Sequence, residues 1–321
     1  MKKVCVTGAG GFIGSHLAGL LLSGHEVSAF VRYVSTGSIG LLAEHEAASN
    51  LTVHRGDLRD VDAFRQAVAG CDTLLHLAAH ISIPYSKIHP REVFDANTQM
   101  TMNALSVAHQ EGLSRVVLIS TSEVYGSAQT IPITEEHPLH PQSVYAASKV
   151  ASDQLGLAWS RQIGGPEIVI LRPFNTYGPG QSLRAVIPTI IQQALAGDEI
   201  HLGATSTTRD FVYVEDTARA ILLAGEAPDL DGEVIHVGTG VETSVSEVVE
   251  LVGEILSKKL SVISEQERTR GEKEEVERLV ADPRRAKELL GWEAKVNLRE
   301  GLERLVRELG EGAGEKVGYQ V

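Results

Sequence analysis

The chain has 321 residues, 43% of them hydrophobic and 22% charged, so it can bury a full core and is not a disordered tail. Its 29 basic and 42 acidic residues give a formal charge of −13, which argues against non-specific binding to nucleic acid or to an anionic membrane. Two cysteines, Cys5 and Cys71, are too few for a disulfide framework or a Cys-rich zinc site, and no apolar run approaches the ~20 residues of a membrane span.

The first apolar run, Val4–Val6, predicts a strand that buries Cys5. Glycines follow it before a signal-peptide core can form, so a cytoplasmic protein is expected. Thr7-Gly8-Ala9-Gly10-Gly11-Phe12-Ile13-Gly14 then leads into a helix over Phe12–Leu22, where Ile13, Leu17, Leu20 and Leu21 recur at helical spacing. Gly8, Gly11 and Gly14 are spaced G-x-x-G-x-x-G. Glycine there permits a tight turn, close approach of backbone to a pyrophosphate, and close helix–strand packing. The helix start, Phe12, Ile13 and Gly14, offers free N–H groups and the positive end of a dipole to phosphate. A plain glycine turn is the alternative; the strand–loop–helix context favours a dinucleotide.

Further strands are predicted at Val27–Val31, Leu51–His54, Thr73–Leu77, Val116–Ser120 and Ile168–Leu171, with helices near Ala63–Ala69, Arg91–Glu111 and Tyr145–Gln162. The strands are apolar on both faces, as in a buried parallel sheet. The fold class is therefore α/β, a Rossmann-type doubly wound parallel sheet with its site at the carboxyl ends of the strands. The regularity breaks after Arg172-Pro173. A loop at Gly178-Pro179-Gly180, a helix at Ile187–Leu195 and a returning strand at Val234–Val237 follow. We divide the chain into a dinucleotide-binding unit, 1–175 plus about 213–240, and a smaller discontinuous α+β substrate unit, 176–212 and 241–310. A loose tail over 311–321 completes it.

The second strand ends Phe30-Val31-Arg32-Tyr33, without the acid that usually holds an NAD ribose. Arg32 can pair with a 2′-phosphate, which favours NADP over NAD, or it is a solvated surface arginine. Asp57-Leu58, after the third strand, can touch the adenine, or Asp57 serves a turn or caps the next helix. Leu77-Ala78-Ala79 ends the fourth strand in small side chains that let a dinucleotide lie against the sheet, or that simply pack tightly. The scattered histidines show no metal spacing, and no metal site is expected.

Tyr145-Ala146-Ala147-Ser148-Lys149 places Tyr145 and Lys149 at i and i+4 on one helical face. An ammonium beside a phenol favours the phenolate and lowers its pKa from ~10, giving a base for a sugar hydroxyl. A surface pair is the bland reading, but this one follows a dinucleotide loop and a fifth strand ending in Ser120-Thr121.

With these motifs the chain resembles an extended short-chain dehydrogenase/reductase of the nucleotide-sugar epimerase/dehydratase type, from Gly8 to about Gly301. The resemblance implies a tightly bound NAD or NADP. It implies that Thr121 and Tyr145 contact the sugar 4-hydroxyl and that Lys149 holds the nicotinamide ribose. Asn175 would hold the substrate diphosphate, and Arg209 and Arg270 the nucleotide side. Arg184 belongs to the substrate pocket in the same way, and His80 and Ser82 line the sugar site.

In Ser120-Thr121-Ser122-Glu123 a carboxylate follows the threonine. A simple C4 epimerase needs none, whereas a 4,6-dehydratase needs one to take the C5 proton while the C6 hydroxyl departs as water. Glu123 fits that base, and Ser122 stands where some dehydratases carry an acid, so it orients Glu123 or a water. The alternative for Glu123 is a helix-start residue. The finer resemblance, through Ile83-Pro84-Tyr85-Ser86 and Arg184–Ile191, is to GDP-N-acetylglucosamine 4,6-dehydratases of legionaminic acid biosynthesis. Rival readings are a C4 epimerase, a UDP-glucuronate-type decarboxylase, or a dinucleotide-sensing regulator. The last has no need of Thr121, Glu123, Tyr145 and Lys149 together. A homodimer through helices near Arg91–Glu111 and Tyr145–Gln162 is implied by the family.

Overall fold

The apolar runs become strands in the computed structural model, which describes residues 1–265 and 276–311. They are β1 (Lys3–Thr7), β2 (Glu26–Arg32), β3 (Leu51–Gly56), β4 (Thr73–His76), β5 (Arg115–Ile119) and β6 (Glu167–Pro173). Helices α1 (Phe12–Leu21), α2 (Val61–Val68), α3 (Ile83–Ile88), α4 (Pro90–Gln110) and α5 (Val144–Trp159) lie between them in sequence. The chain continues through β7 (Asn175–Tyr177), α6 (Val186–Ala196), β8 (Glu199–Leu202), β9 (Thr208–Arg209), β10 (Phe211–Tyr213), α7 (Val214–Glu226) and β11 (Val234–Val237). It ends with β12 (Thr243–Ser244), α8 (Val245–Leu256), β13 (Ser261–Ser264), β14 (Arg278–Leu279), α9 (Arg284–Leu290) and α10 (Leu298–Glu311).

Seven strands form one sheet in the order β3-β2-β1-β4-β5-β6-β11, every pairing parallel. The order reverses between β1 and β4, which opens a crevice at their carboxyl ends. Alternation along each strand explains the two-sided core. Val4, Val6, Leu75 and Val117 enter the cluster that holds Leu17 of α1 and Ile221 of α7. Cys5, Leu74 and Val116 enter the opposite cluster with Phe64 of α2 and Leu105 of α4. Cys5 is fully buried, and burial raises its thiol well above the ordinary range.

Beyond β7 the chain builds small sheets, β7–β10, β12–β9–β14 and β8–β13. A third apolar cluster joins Ile190 of α6, Val248 of α8 and Leu302 and Leu305 of α10 to Tyr177 and Phe211. The strand foreseen at Val234–Val237 does return to the large sheet, on β6. Elements that the apolar pattern did not announce include α3, α7 and a 3₁₀ turn at Gly40–His45. The local signals for α3 are Ser82, whose hydroxyl accepts from Tyr85 N at 3.2 Å, and Pro84 in the first turn. The expected loose tail falls on residues outside the described ones after Glu311, where α10 ends.

Candidate active site

The glycine loop is shaped by contact as much as by turn. Gly8 has φ of 71°, and a Cβ there would stand 3.0 Å from Ala78 N. A Cβ on Gly14 would stand 2.2 Å from Gly8 O, so the helix start sits on the strand end with no space between. Gly11 N donates to Gly8 O at 3.0 Å, and α1 begins with no side-chain cap and no acid in its first turn. Its N-terminal N–H groups and dipole thus face the crevice, and this cradle fits a dinucleotide pyrophosphate. Sequence spacing passed over Gly10 and Gly40. A Cβ on Gly10 would lie 2.4 Å from Ile39 O, and one on Gly40, at φ 65°, 2.3 Å from Gly10 O. Residues 30 apart leave no periodic signal for such a contact.

Around the loop, Arg32 is exposed at the end of β2, and Leu77, Ala78 and Ala79 are half-buried past β4. Asp57 takes up the turn reading: its Oδ1 accepts from Arg59 N and Nε at 2.9 Å, and its Oδ2 from Arg59 Nη2 at 2.5 Å. That pairing holds its carboxyl down to about 2. Asp60 rather than Asp57 caps α2. Leu58 is buried, its carbonyl accepting from Asn103.

Two caps place the reactive side chains. Ser143 accepts from Ala146 N at 3.0 Å and starts α5, whose first turns carry Tyr145 and Lys149. Thr121 accepts from Glu123 N at 3.2 Å and starts the 3₁₀ turn Ser122–Tyr125, which puts Glu123 in its first turn and buries Ser122. The Thr121 hydroxyl also bonds the Tyr145 phenol. One hydroxyl therefore links the tyrosine and the segment bearing the carboxylate.

The expected lowering of the Tyr145 phenol is not met. Burial pushes it up, Glu123 adds to that, and only the Thr121 bond opposes. Burial is the largest cause, and the Lys149 Nζ donates to Ile119 O at 2.6 Å. Burial lowers Lys149, and Asp153 raises it. Below the loop His76 contacts Thr7 Oγ1 at 2.9 Å and is pushed down to about 3 by burial and by Lys149, so it is neutral.

The other candidates are brought to this edge unequally. Asn175 opens β7 after β6, and its buried Oδ1 has no hydrogen-bond partner among the described residues, while its N donates to Asp210 O. Arg209 is the neighbour of Asp210 on β9, buried, with Nη1 donating to Thr208 O at 2.9 Å. His80 N donates to Asn97 Oδ1 at 2.7 Å, and Asn97 Nδ2 donates to Ser148 Oγ at 2.9 Å, so the His80 loop is tied to the turn of α5 before Lys149. The Ser82 hydroxyl is taken by the α3 cap. Arg184 is exposed ahead of α6, and Arg270 lies outside the described residues.

A family model described as GDP-mannose 4,6 dehydratase matches residues 5–305. The chain belongs to this family. A dTDP-glucose 4,6-dehydratase of Actinoplanes is 35% identical over 82% of this chain and 84% of that one. UDP-glucuronic acid decarboxylase 6 of Arabidopsis thaliana is 33% identical over 94% and 86%. A dTDP-glucose 4,6-dehydratase of Streptomyces venezuelae, solved with NAD bound, superposes with a TM-score of 0.86 at 32% identity, over 97% of this chain and 98% of that one. Membership makes this chain an enzyme of the NAD-dependent nucleotide-sugar dehydratase/epimerase group with the extended short-chain dehydrogenase/reductase fold. No helix among the described residues is long and apolar enough to cross a membrane.

Proposed function

We propose that the chain is an NDP-sugar 4,6-dehydratase, forming a 4-keto-6-deoxy sugar from a nucleotide-activated hexose or N-acetylhexosamine, with GDP-N-acetylglucosamine favoured. The observation that carries this reading is Glu123, held two residues after the cap, Thr121, whose hydroxyl also bonds Tyr145. The Gly8–Gly14 loop, Leu77–Ala79 and Lys149 would hold NAD or NADP, which would supply the acceptor and donor of hydride. Arg32 favours the NADP choice. The region of the third apolar cluster, with Arg209 and Arg184, closes over the nucleotide, and Asn175 meets the diphosphate.

Within this site Thr121 and Tyr145 engage the C4 hydroxyl, and Tyr145 receives its proton. Lys149 supplies the positive charge that this transfer needs against the burial of the phenol. The C4 ketone acidifies the C5 hydrogen. Glu123 takes that proton as the C6–O bond breaks, and the departing hydroxyl leaves as water with a proton from Glu123 or from a water held by Ser122; as hydride returns to C6, C5 regains a proton, so the one taken from the C4 hydroxyl makes up for the one lost in water. A C4 epimerase needs no carboxylate at this point, and a decarboxylase loses the C5 carboxylate instead of a proton.

Purified enzyme incubated separately with GDP-GlcNAc, UDP-GlcNAc, GDP-mannose, dTDP-glucose and UDP-glucuronate is expected to remove one water from one of the first four, read by product mass. Loss of carbon dioxide from UDP-glucuronate, or unchanged mass throughout, would overturn dehydration. We further propose a homodimer through α4 and α5. Light scattering at micromolar concentration is expected to give twice the chain mass, and a monomer would remove the proposal.

A further inference from the structure

A line of buried polar side chains joins α5 to the foot of the Glu123 turn, and the steps above use none of it. Asp153 stands one helical turn beyond Lys149 and is 1% exposed. Its Oδ2 accepts from both Nε and Nη2 of Arg172 at 3.0 Å. Arg172 lies on β6 and is 3% exposed. Its Nη1 donates to the Tyr125 hydroxyl at 2.5 Å, and its guanidinium stands 5.1 Å from the Tyr125 ring centroid. Tyr125 is the last residue of the 3₁₀ turn that carries Glu123. Its hydroxyl also meets His236 Nε2 of β11 at 2.6 Å.

Such a pair is a poor device for stability alone. Desolvating two charges is costly, and apolar residues of similar volume commonly serve the fold as well or better. Here each partner ends on a different part of the catalytic cluster. Asp153 faces Lys149, and Arg172 reaches the Glu123 turn through Tyr125.

We propose that Asp153 and Arg172 are positioning residues that hold Lys149 and the Glu123 turn in one register. The inference rests on the roles given above to Lys149 and Glu123. The groups facing Lys149 are Asp153 from its own helix, the Ile119 carbonyl from β5 and neutral His76 from β4. Asp153 is thus the carboxyl that opposes the lowering of Lys149 by burial, and Arg172 fixes where that carboxyl sits. Arg172 in turn anchors the phenol that ends the Glu123 turn.

The test begins with the full chain bearing ¹³C-labelled lysine, followed by NMR as pH is raised. The Lys149 signal is the one missing from Lys149→Met. In Asp153→Asn, which keeps the side-chain shape and removes the charge, Lys149 is expected to lose its proton at lower pH than in the wild type. In Asp153→Glu it stays near the wild-type position. With the substrate found by the mass assay, the alkaline limb of the Asp153→Asn kcat profile moves to lower pH in step. Tyr125→Phe keeps the ring and is expected to lower kcat by up to about 10²-fold with KM unchanged, as misplacement of a catalytic group does. It leaves the Lys149 titration where it was.

An unchanged Lys149 titration in Asp153→Asn, or a wild-type kcat in Tyr125→Phe, would overturn the proposal. The titration needs no substrate, so it reads the bridge even if no sugar in the panel is dehydrated. If Asp153→Asn does not fold, the Asp153→Glu titration and the Tyr125→Phe kinetics still decide: a displaced signal in the first or a wild-type rate in the second refutes it.

Discussion

Glu123→Gln is expected to abolish dehydration, lowering kcat by roughly 10²–10⁴-fold, the usual contribution of one positioned acid–base group. The substitution keeps size and hydrogen bonding but cannot take a proton from C5. Its backbone role survives, because the cap runs from the Thr121 hydroxyl to the Glu123 N–H and not to its carboxylate. The melting temperature should therefore stay close to that of the wild type, and NAD binding by calorimetry should be unchanged. Glu123→Asp, one methylene shorter, should fall between the two. Product mass after a fixed incubation is the measurement. If Glu123→Gln retains more than a tenth of wild-type dehydration, Glu123 is a helix-start residue and the base lies elsewhere.

Gly14→Ala should produce the second large effect, on binding and stability together. The added carbon would stand 2.2 Å from Gly8 O and 2.9 Å from both Gly8 C and Ala9 Cα. All three are backbone atoms of the loop, so no flexible side chain can swing aside. The helix start must move off the end of β1, which opens the cradle and strains the packing of Leu17 in the core beneath. Overpacking of this kind costs about 1–3 kcal/mol or more. Thermal unfolding should show the loss, and calorimetry should show weaker NAD binding. Gly24→Ala is the control, since a Cβ there meets nothing within 4 Å. Wild-type melting and NAD binding in Gly14→Ala would remove the tight helix–strand contact as the reason for this glycine.

The buried bridge shows where linear reading stopped. Arg172 was visible as a charge at the end of an apolar strand, and a charge there must be paired. Its partner, Asp153, is 19 residues away on α5, and Tyr125 is 47 residues away at the end of a 3₁₀ turn. Only the parallel register of β5 with β6 brings those three elements together. The same holds for Tyr145. Helical spacing correctly put it on one face with Lys149, but the ammonium turns to Ile119 and Asp153, and burial sets the direction of the phenol.

Local rules are what made the rest legible. Two-sided apolar runs suit the strands of a sheet covered on both faces, which is where β1, β2, β4, β5 and β6 lie, with β3 and β11 at its edges. The glycine spacing, the i and i+4 pair and the carboxylate after Thr121 are short-range patterns that the backbone geometry of one loop, one helix and one turn interprets directly. The sequence by itself thus determined the sheet, the strand–glycine loop–helix unit at its start and the family to which the chain belongs. Tertiary structure alone decided which charge faces Lys149 and which loop needs Gly10 and Gly40. Those outcomes depend on burial and on strand register, and neither is written in the spacing of residues along the chain.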